Sequence, residues 1–104
     1  MQLYPLKLVT VVGESVIMDD IAREGVKLGA TGYTMSDTAG EGSRSTRNVI
    51  VTSGAKTQKV EFVVPMEVAE RILRHVSHSY FEHYACIAWL ADVQVVRGAN
   101  YVRH

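Results

Sequence analysis

Across a single proline, the hydrophobic period of this chain switches from two residues to 3.6. Ahead of Pro65, Lys59-Val60-Glu61-Phe62-Val63-Val64 alternates as a half-buried strand does. Behind it, Val68, Ala69, Ile72, Leu73, Val76 and Tyr80 share one face at 100° per residue, with Glu67, Glu70, Arg71, Arg74, His75 and His78 on the other. Proline removes a ladder donor, and its fixed φ suits the first turn of a helix. The junction therefore predicts a strand running directly into an amphipathic helix.

The N-terminal half carries a similar pattern. Leu6 to Val12 is rich in β-branched residues and predicts a first strand. Glu14-Ser15 offers a cap, Asp19 and Asp20 fall near the positive end of a helix, and Ile17, Ile21 and Leu28 recur at close to multiples of 3.6. Gly29-Ala30-Thr31-Gly32 supplies a glycine exit, and Tyr33 to Thr38 alternates as a second strand. From Gly40 to Gln58 the composition turns to Gly, Ser, Thr, Asn and Arg, with only Val49-Ile50-Val51 apolar, which predicts a long binding loop. Ala85 to Ala91 and Val93 to Val96 form a last strand region, broken or bent near Asp92.

The order is βαββαβ, which points to an α+β fold. It matches the split-βαβ, ferredoxin-like arrangement: a four-stranded antiparallel sheet with both helices on one face. Val9, Val11, Phe62, Val64, Ile87, Trp89 and Val95 make both sides of that sheet apolar. Sheets are therefore expected to pack between subunits of an oligomer.

With 104 residues, 47% hydrophobic and 21% charged, one domain over residues 1–104 is expected. Eleven basic residues balance eleven acidic ones, so global charge makes no case for a nucleic-acid binder. The single cysteine, Cys86, excludes an intramolecular disulfide, a dithiol redox pair and a cysteine-based zinc cluster. Met1 to Lys7 lacks the basic start and apolar run of a signal peptide, and no stretch approaches 18 apolar residues, so a cytoplasmic location is expected.

The segment Gly40-Glu41-Gly42-Ser43-Arg44-Ser45-Thr46-Arg47 has the chemistry of an anion site. Its glycines let backbone approach closely, the Ser43 hydroxyl donates, and Arg44 and Arg47 can fork onto phosphate oxygens. A solvated loop is the plainer reading of the same residues. The segment lacks the lysine and helix-opening context of a Walker A loop. His75, His78 and His83 lack the further ligands of a metal site and read as solvated helix or turn residues. Cys86 reads as a small core residue rather than a nucleophile, and Trp89 and Tyr80 to Tyr84 as core or subunit-contact aromatics. No base, nucleophile or carboxylate pair supports an enzyme.

Taken in order, these segments resemble the PII-like signalling proteins over nearly the full length. The likeness rests on Leu6-Lys7-Leu8-Val9-Thr10, Gly29-Ala30-Thr31-Gly32-Tyr33-Thr34, Gly40-Glu41-Gly42-Ser43-Arg44, Lys59 to Val64 and Val95-Val96-Arg97-Gly98. Ala-Thr-Gly-Tyr-Thr followed by Gly-Glu-Gly-Ser-Arg is similar to the branch tied to inorganic carbon, which includes bicarbonate-transporter regulators and carboxysome-associated proteins. The resemblance implies a homotrimer with adenine-nucleotide sites in the clefts between neighbours and a T-loop, here about 40–58, that reports the ligand to a partner. On the matching positions, Gly32, Tyr33 and Thr34 would line the nucleotide pocket, and Gly42, Ser43, Arg44 and Arg47 would meet the phosphates. Lys59, Ala85, Cys86, Ile87 and Arg97 would be further contacts.

Three departures from that family alter the expectation. Residues 40–58 contain no tyrosine, so the uridylylation switch of typical members is not expected. His83-Tyr84-Ala85-Cys86 stands where they carry a Gly-rich phosphate loop with a lysine, which favours AMP, ADP or cyclic AMP over ATP. The run Gly98 to His104 lacks the two-cysteine loop of some transporter-regulating relatives, so neither redox control nor hydrolysis is carried over. The reading is a non-enzymatic sensor requiring no cofactor, with bicarbonate a second candidate ligand at the basic loop and a bicarbonate transporter or other carbon-uptake protein as partner, at the inner membrane or on carboxysomes. A protein-docking trimer and a small enzyme acting on a phosphorylated metabolite stay open as alternatives.

Overall fold

The computed structural model of the chain describes residues 1–38 and 56–102. The elements follow as β1 (Leu3–Glu14), α1 (Ser15–Lys27), β2 (Thr34–Thr38), β3 (Thr57–Val64), α2 (Met66–Tyr80), β4 (Cys86–Val96) and a short 3-10 turn at Gly98–Tyr101. The sheet order is β2-β3-β1-β4, antiparallel throughout. Both helices lie on one face, and the α+β, βαββαβ architecture is that expected from the sequence.

Register explains which residues face the helices. Val9 pairs with Phe62 and Val11 with Val60 across β1 and β3, so these side chains share a face and are fully buried. They meet Ile17, Met18, Ile21 and Ala22 of α1 and Val68, Ala69, Ile72 and Val76 of α2 in one core. Burying a side chain such as Phe62 stabilises the fold by about 1.5–3 kcal/mol. The closest approach is at Gly25 of α1, where a Cβ would stand 2.3 Å from the Phe62 ring.

The other sheet face carries neither α1 nor α2; it mixes apolar residues with Lys59 and Glu61, and the 3-10 turn at Gly98–Tyr101 lies against part of it. Thr10 pairs with both Glu61 and Trp89, and Val12 with both Lys59 and Ile87, which puts these residues opposite the core. Trp89 and Ile87 remain 45% and 40% exposed in the single chain. The apolar residues seen in the sequence thus divide cleanly, with Val9, Val11, Phe62 and Val64 under the helices and Ile87, Trp89 and Val95 on the open face.

Several local expectations change. β1 begins at Leu3, before the expected Leu6, because Leu3 to Leu6 pair with Val96 to Val93. β4 is continuous through Asp92, whose backbone keeps the ladder with Lys7 and whose carboxylate forms an ion pair with the Lys7 ammonium. Thr57 and Gln58 belong to β3, not to the loop, since Thr57 bonds the Thr38 hydroxyl and Gln58 the Asp37 carboxylate. Glu14 occupies the N-cap position of α1 without capping it. At the other end of α1, the Gly29 N–H donates to Val26 O at 3.1 Å, and a φ of +131° there requires glycine.

His75 is not a solvated helix residue. Its Nε2 lies 2.6 Å from Glu24 Oε1, and the Tyr80 hydroxyl donates to the same carboxylate at 2.8 Å, linking α1 to the end of α2. Burial first, then the hydrogen bond to Glu24, pushes the Tyr80 hydroxyl pKa well above its ordinary value.

Gly25→Ala should destabilise the protein by about 1–3 kcal/mol despite the roughly 1 kcal/mol that alanine adds in an isolated helix, because Phe62 cannot retreat from a closed core. Urea denaturation checks this; an unchanged midpoint would mean that α1 slides freely on the sheet.

Candidate functional site

The turn leaving α1 delivers residues 31–34 to the edge of the sheet. There Thr31, Gly32, Tyr33 and Thr34 line a cleft of about 350 Å³ with Leu8, Glu61, Val63 and Tyr101. Tyr33 places its ring edge-on to Phe62, with centroids 6.4 Å apart, and stays half-exposed. Register puts Thr34 opposite Glu61, and Glu61 opposite Thr10, so the Glu61 carboxylate is on the open face. Two tyrosine rings, a carboxylate and two threonine hydroxyls can hold a flat heteroaromatic base with N–H donors and a sugar diol.

Of the sequence-predicted residues, Gly32, Tyr33 and Thr34 are together in this cleft. Lys59 is half-buried on β3, paired with Ser36 and with Val12, two positions along the same strand from Glu61. Ala85, Cys86 and Ile87 stand where Cys86 pairs with Gly13, at the end of the sheet where Thr38 pairs with Thr57. Arg97 lies beyond the far end of β4, next to the pair Leu3 and Val96, with φ of 62° in the left-handed region. The 11-residue strand separates Arg97 from Ala85 by roughly 35 Å. One chain therefore does not bring them together. Gly42, Ser43, Arg44 and Arg47, with most of the predicted T-loop, lie outside the described residues.

The turn between α2 and β4 has its backbone donors engaged internally. The His83 and Tyr84 N–H groups donate to Tyr80 O at 3.3 and 3.0 Å. The Ala85 N–H donates to Glu14 Oε2 at 2.7 Å, and the Glu14 N–H returns a bond to Ala85 O at 3.2 Å. Burial, reinforced by the nearby Glu14 charge, pushes the Cys86 thiol up to about 11. A thiol so held stays protonated near neutrality. Among the described residues no group of three His, Cys, Asp or Glu side chains could hold a metal ion, and no helix is long and apolar enough to cross a membrane.

Tyr101, Glu61 and Thr31 went unread as site residues. Glu61 had a signal: it is the acidic residue in the strand Lys59 to Val64, where alternation places it opposite the core. Tyr101 had none, because its position depends on the path of the chain after β4.

Residues 6–100 match the family of the nitrogen regulatory protein P-II. The chain belongs to this family. A P-II relative of known structure, from Thermus thermophilus and assigned to the PII-like signalling proteins, is 44% identical; the match covers 98% of this chain and 100% of the relative, with a TM-score of 0.82. The fold is also that of CPII from Thiomonas intermedia K12, solved with ADP, AMP and acetate, at 20% identity and a TM-score of 0.82 over 97% of this chain and 98% of CPII. The B. subtilis GlnK–ATP complex matches at 18% identity and a TM-score of 0.59, over 86% of this chain and 82% of GlnK.

Alkylation of Cys86 in this P-II protein should accelerate about tenfold per pH unit from pH 8 to 10 and level off only near 11. Iodoacetamide labelling followed by mass spectrometry reads this directly; a plateau near 9 would indicate an unshifted thiol.

Proposed function

We propose that this chain is a non-enzymatic adenine-nucleotide sensor that acts in inorganic-carbon uptake or metabolism. The observation that carries the reading is the cleft of Gly32, Tyr33, Thr34, Glu61 and Tyr101 at the margin of an uncovered apolar sheet face. Three copies joined through that face would form a homotrimer, in which the Arg97 of one copy could reach the Ala85 end of a neighbour. CPII, with the same fold, has been solved with ADP and AMP and with ADP and bicarbonate. By that likeness AMP, ADP, cyclic AMP and ATP are the candidate effectors here, with bicarbonate as a second ligand.

Gly42, Ser43, Arg44 and Arg47 would meet the phosphates, with Lys59 and the residues Ala85, Cys86 and Ile87 nearby. A nucleotide that binds one state of the T-loop tenfold better than another shifts that equilibrium by about 1.4 kcal/mol. The shifted state would then dock on or leave a bicarbonate transporter or another carbon-uptake component, at the inner membrane or on carboxysomes.

A thermal-shift and calorimetry series with AMP, cyclic AMP, ADP and ATP, each with and without bicarbonate, tests the reading. A ligand at about 100 times its Kd adds roughly 2.7 kcal/mol per site and raises Tm by several degrees. Guanine nucleotides should give no shift. Tyr101→Ala should weaken nucleotide binding about tenfold or more, the range of one lost aromatic–base contact of about 1–3 kcal/mol. Absence of any shift would favour a trimer that docks protein alone.

Trp89→Arg should convert the assembly to monomers, because a charge in the middle of an apolar contact is left without a partner. Sedimentation velocity distinguishes the two states; an unchanged coefficient would exclude this sheet face as the interface.

A further inference from the structure

Beyond β4 the chain turns back over the sheet. Arg97 takes a φ of 62°, a left-handed conformation that a residue with a side chain keeps only where its surroundings hold it. Gly98 then presses on β1 so closely that a Cβ would stand 2.5 Å from the Tyr4 Cβ. The bonds of the 3-10 turn do little to fix its course: the Val102 N–H reaches Ala99 O only at 3.4 Å, beyond ordinary hydrogen-bond length. What the segment packs on therefore decides where it goes.

That packing is split between two cavities. β3 pairs with β1 only from Lys7 onward, so Leu3 to Leu6 have β4 on one side and no described strand on the other. Along this free edge, between β1 and the start of α2, runs a crevice of about 420 Å³ lined by Tyr4, Leu6, Pro65, Met66 and Val93 together with Val102. The preceding residue, Tyr101, lines the cleft of Thr31 to Thr34 instead. Val102 has left the turn, with extended backbone at φ −114° and ψ 126°, and its β-branched side chain is stiff at χ1, so seating it constrains the backbone beside it. Tyr101 has no such anchor: among the described residues its side chain makes no hydrogen bond and no ring contact.

We propose that Val102 is a positioning residue: seated in the crevice, it holds Tyr101 as a wall of the cleft, with Gly98 on Tyr4 as the other fixed point of the segment. Its effect on binding rests on the adenine-nucleotide reading above, whereas its hold on Tyr101 can be read with no ligand present. Val102 touches no nucleotide in this account and acts through Tyr101 alone.

Two measurements on the full chain test this. Val102→Ser removes the apolar contact without adding charge, at a residue outside the helix–sheet core. With tetranitromethane and mass spectrometry, it should speed nitration of Tyr101 about threefold or more, as local release exposes the ring, while Tyr84, in the turn between α2 and β4, keeps its rate. Val102→Ile, which keeps an apolar β-branched side chain, should behave as the wild type. In calorimetry with AMP, Val102→Ser should weaken binding about three- to tenfold and no more than Tyr101→Ala does. In the Tyr101→Ala background it should cause no further loss. An unchanged nitration rate, or a loss of AMP affinity that adds to that of Tyr101→Ala, overturns the inference and leaves the sensor reading standing. A wild type that binds neither AMP, cyclic AMP, ADP nor ATP overturns the sensor reading, and the nitration rates then decide alone whether Val102 holds Tyr101.

Discussion

The Phe62 ring lies against the backbone of α1 at Gly25, and the geometry of the cleft follows from that contact. It brings α1 onto β3 at a distance no other residue at position 25 permits without a shift. With α1 so placed, the turn at Gly29 leaves the helix where residues 31–33 can reach the sheet edge, and Thr34 can pair with Glu61. Tyr33 then packs at a steep angle against the same Phe62 ring, with centroids 6.4 Å apart. One aromatic side chain thus carries the packing on one side and positions a wall of the cleft on the other.

The sheet is asymmetric in how its two faces are covered. Helices α1 and α2 close one face over Val9, Val11, Val60 and Phe62, while Thr10, Glu61, Ile87 and Trp89 lie on the other. An apolar surface of that kind is stable when another protein surface covers it. The cleft at Thr34 and Tyr101 opens at the margin of this face, so whatever covers the face also completes the cleft. Under the proposed function, assembly through this face and nucleotide binding in the cleft would be coupled by position.

The end of the sheet near Thr38 and Thr57 is held differently. Cross-strand bonds from Thr38 to Thr57 and from Asp37 to Gln58 close β2 on β3, and the Glu14 carboxylate ties the end of β1 to the turn between α2 and β4. These are polar bonds at positions that range from buried Thr57 to exposed Asp37, individually worth about 0.5–1.5 kcal/mol. They stabilise less than the core does, but they place charge and hydrogen-bond donors. The chemistry of this end is therefore set by which donors are already satisfied and which charges remain.

The two amphipathic helices, the alternating strands and the switch of period at Pro65 were legible in the sequence, because each rests on spacing within a single element. Gly32, Tyr33 and Thr34 were singled out through family likeness, and the structure places them side by side along one cleft. The continuity of β4 through Asp92 was not legible, since the Lys7 that pairs with it comes from the other end of the chain. Nor was the commitment of Glu24 to His75 and Tyr80, or of Glu14 to Ala85, where the partners are distant in sequence. Local periodicity determines which elements form and which of their faces are apolar. Only the tertiary structure decides which charged and aromatic residues meet, because those meetings depend on register and helix docking, and one-dimensional spacing carries no record of either.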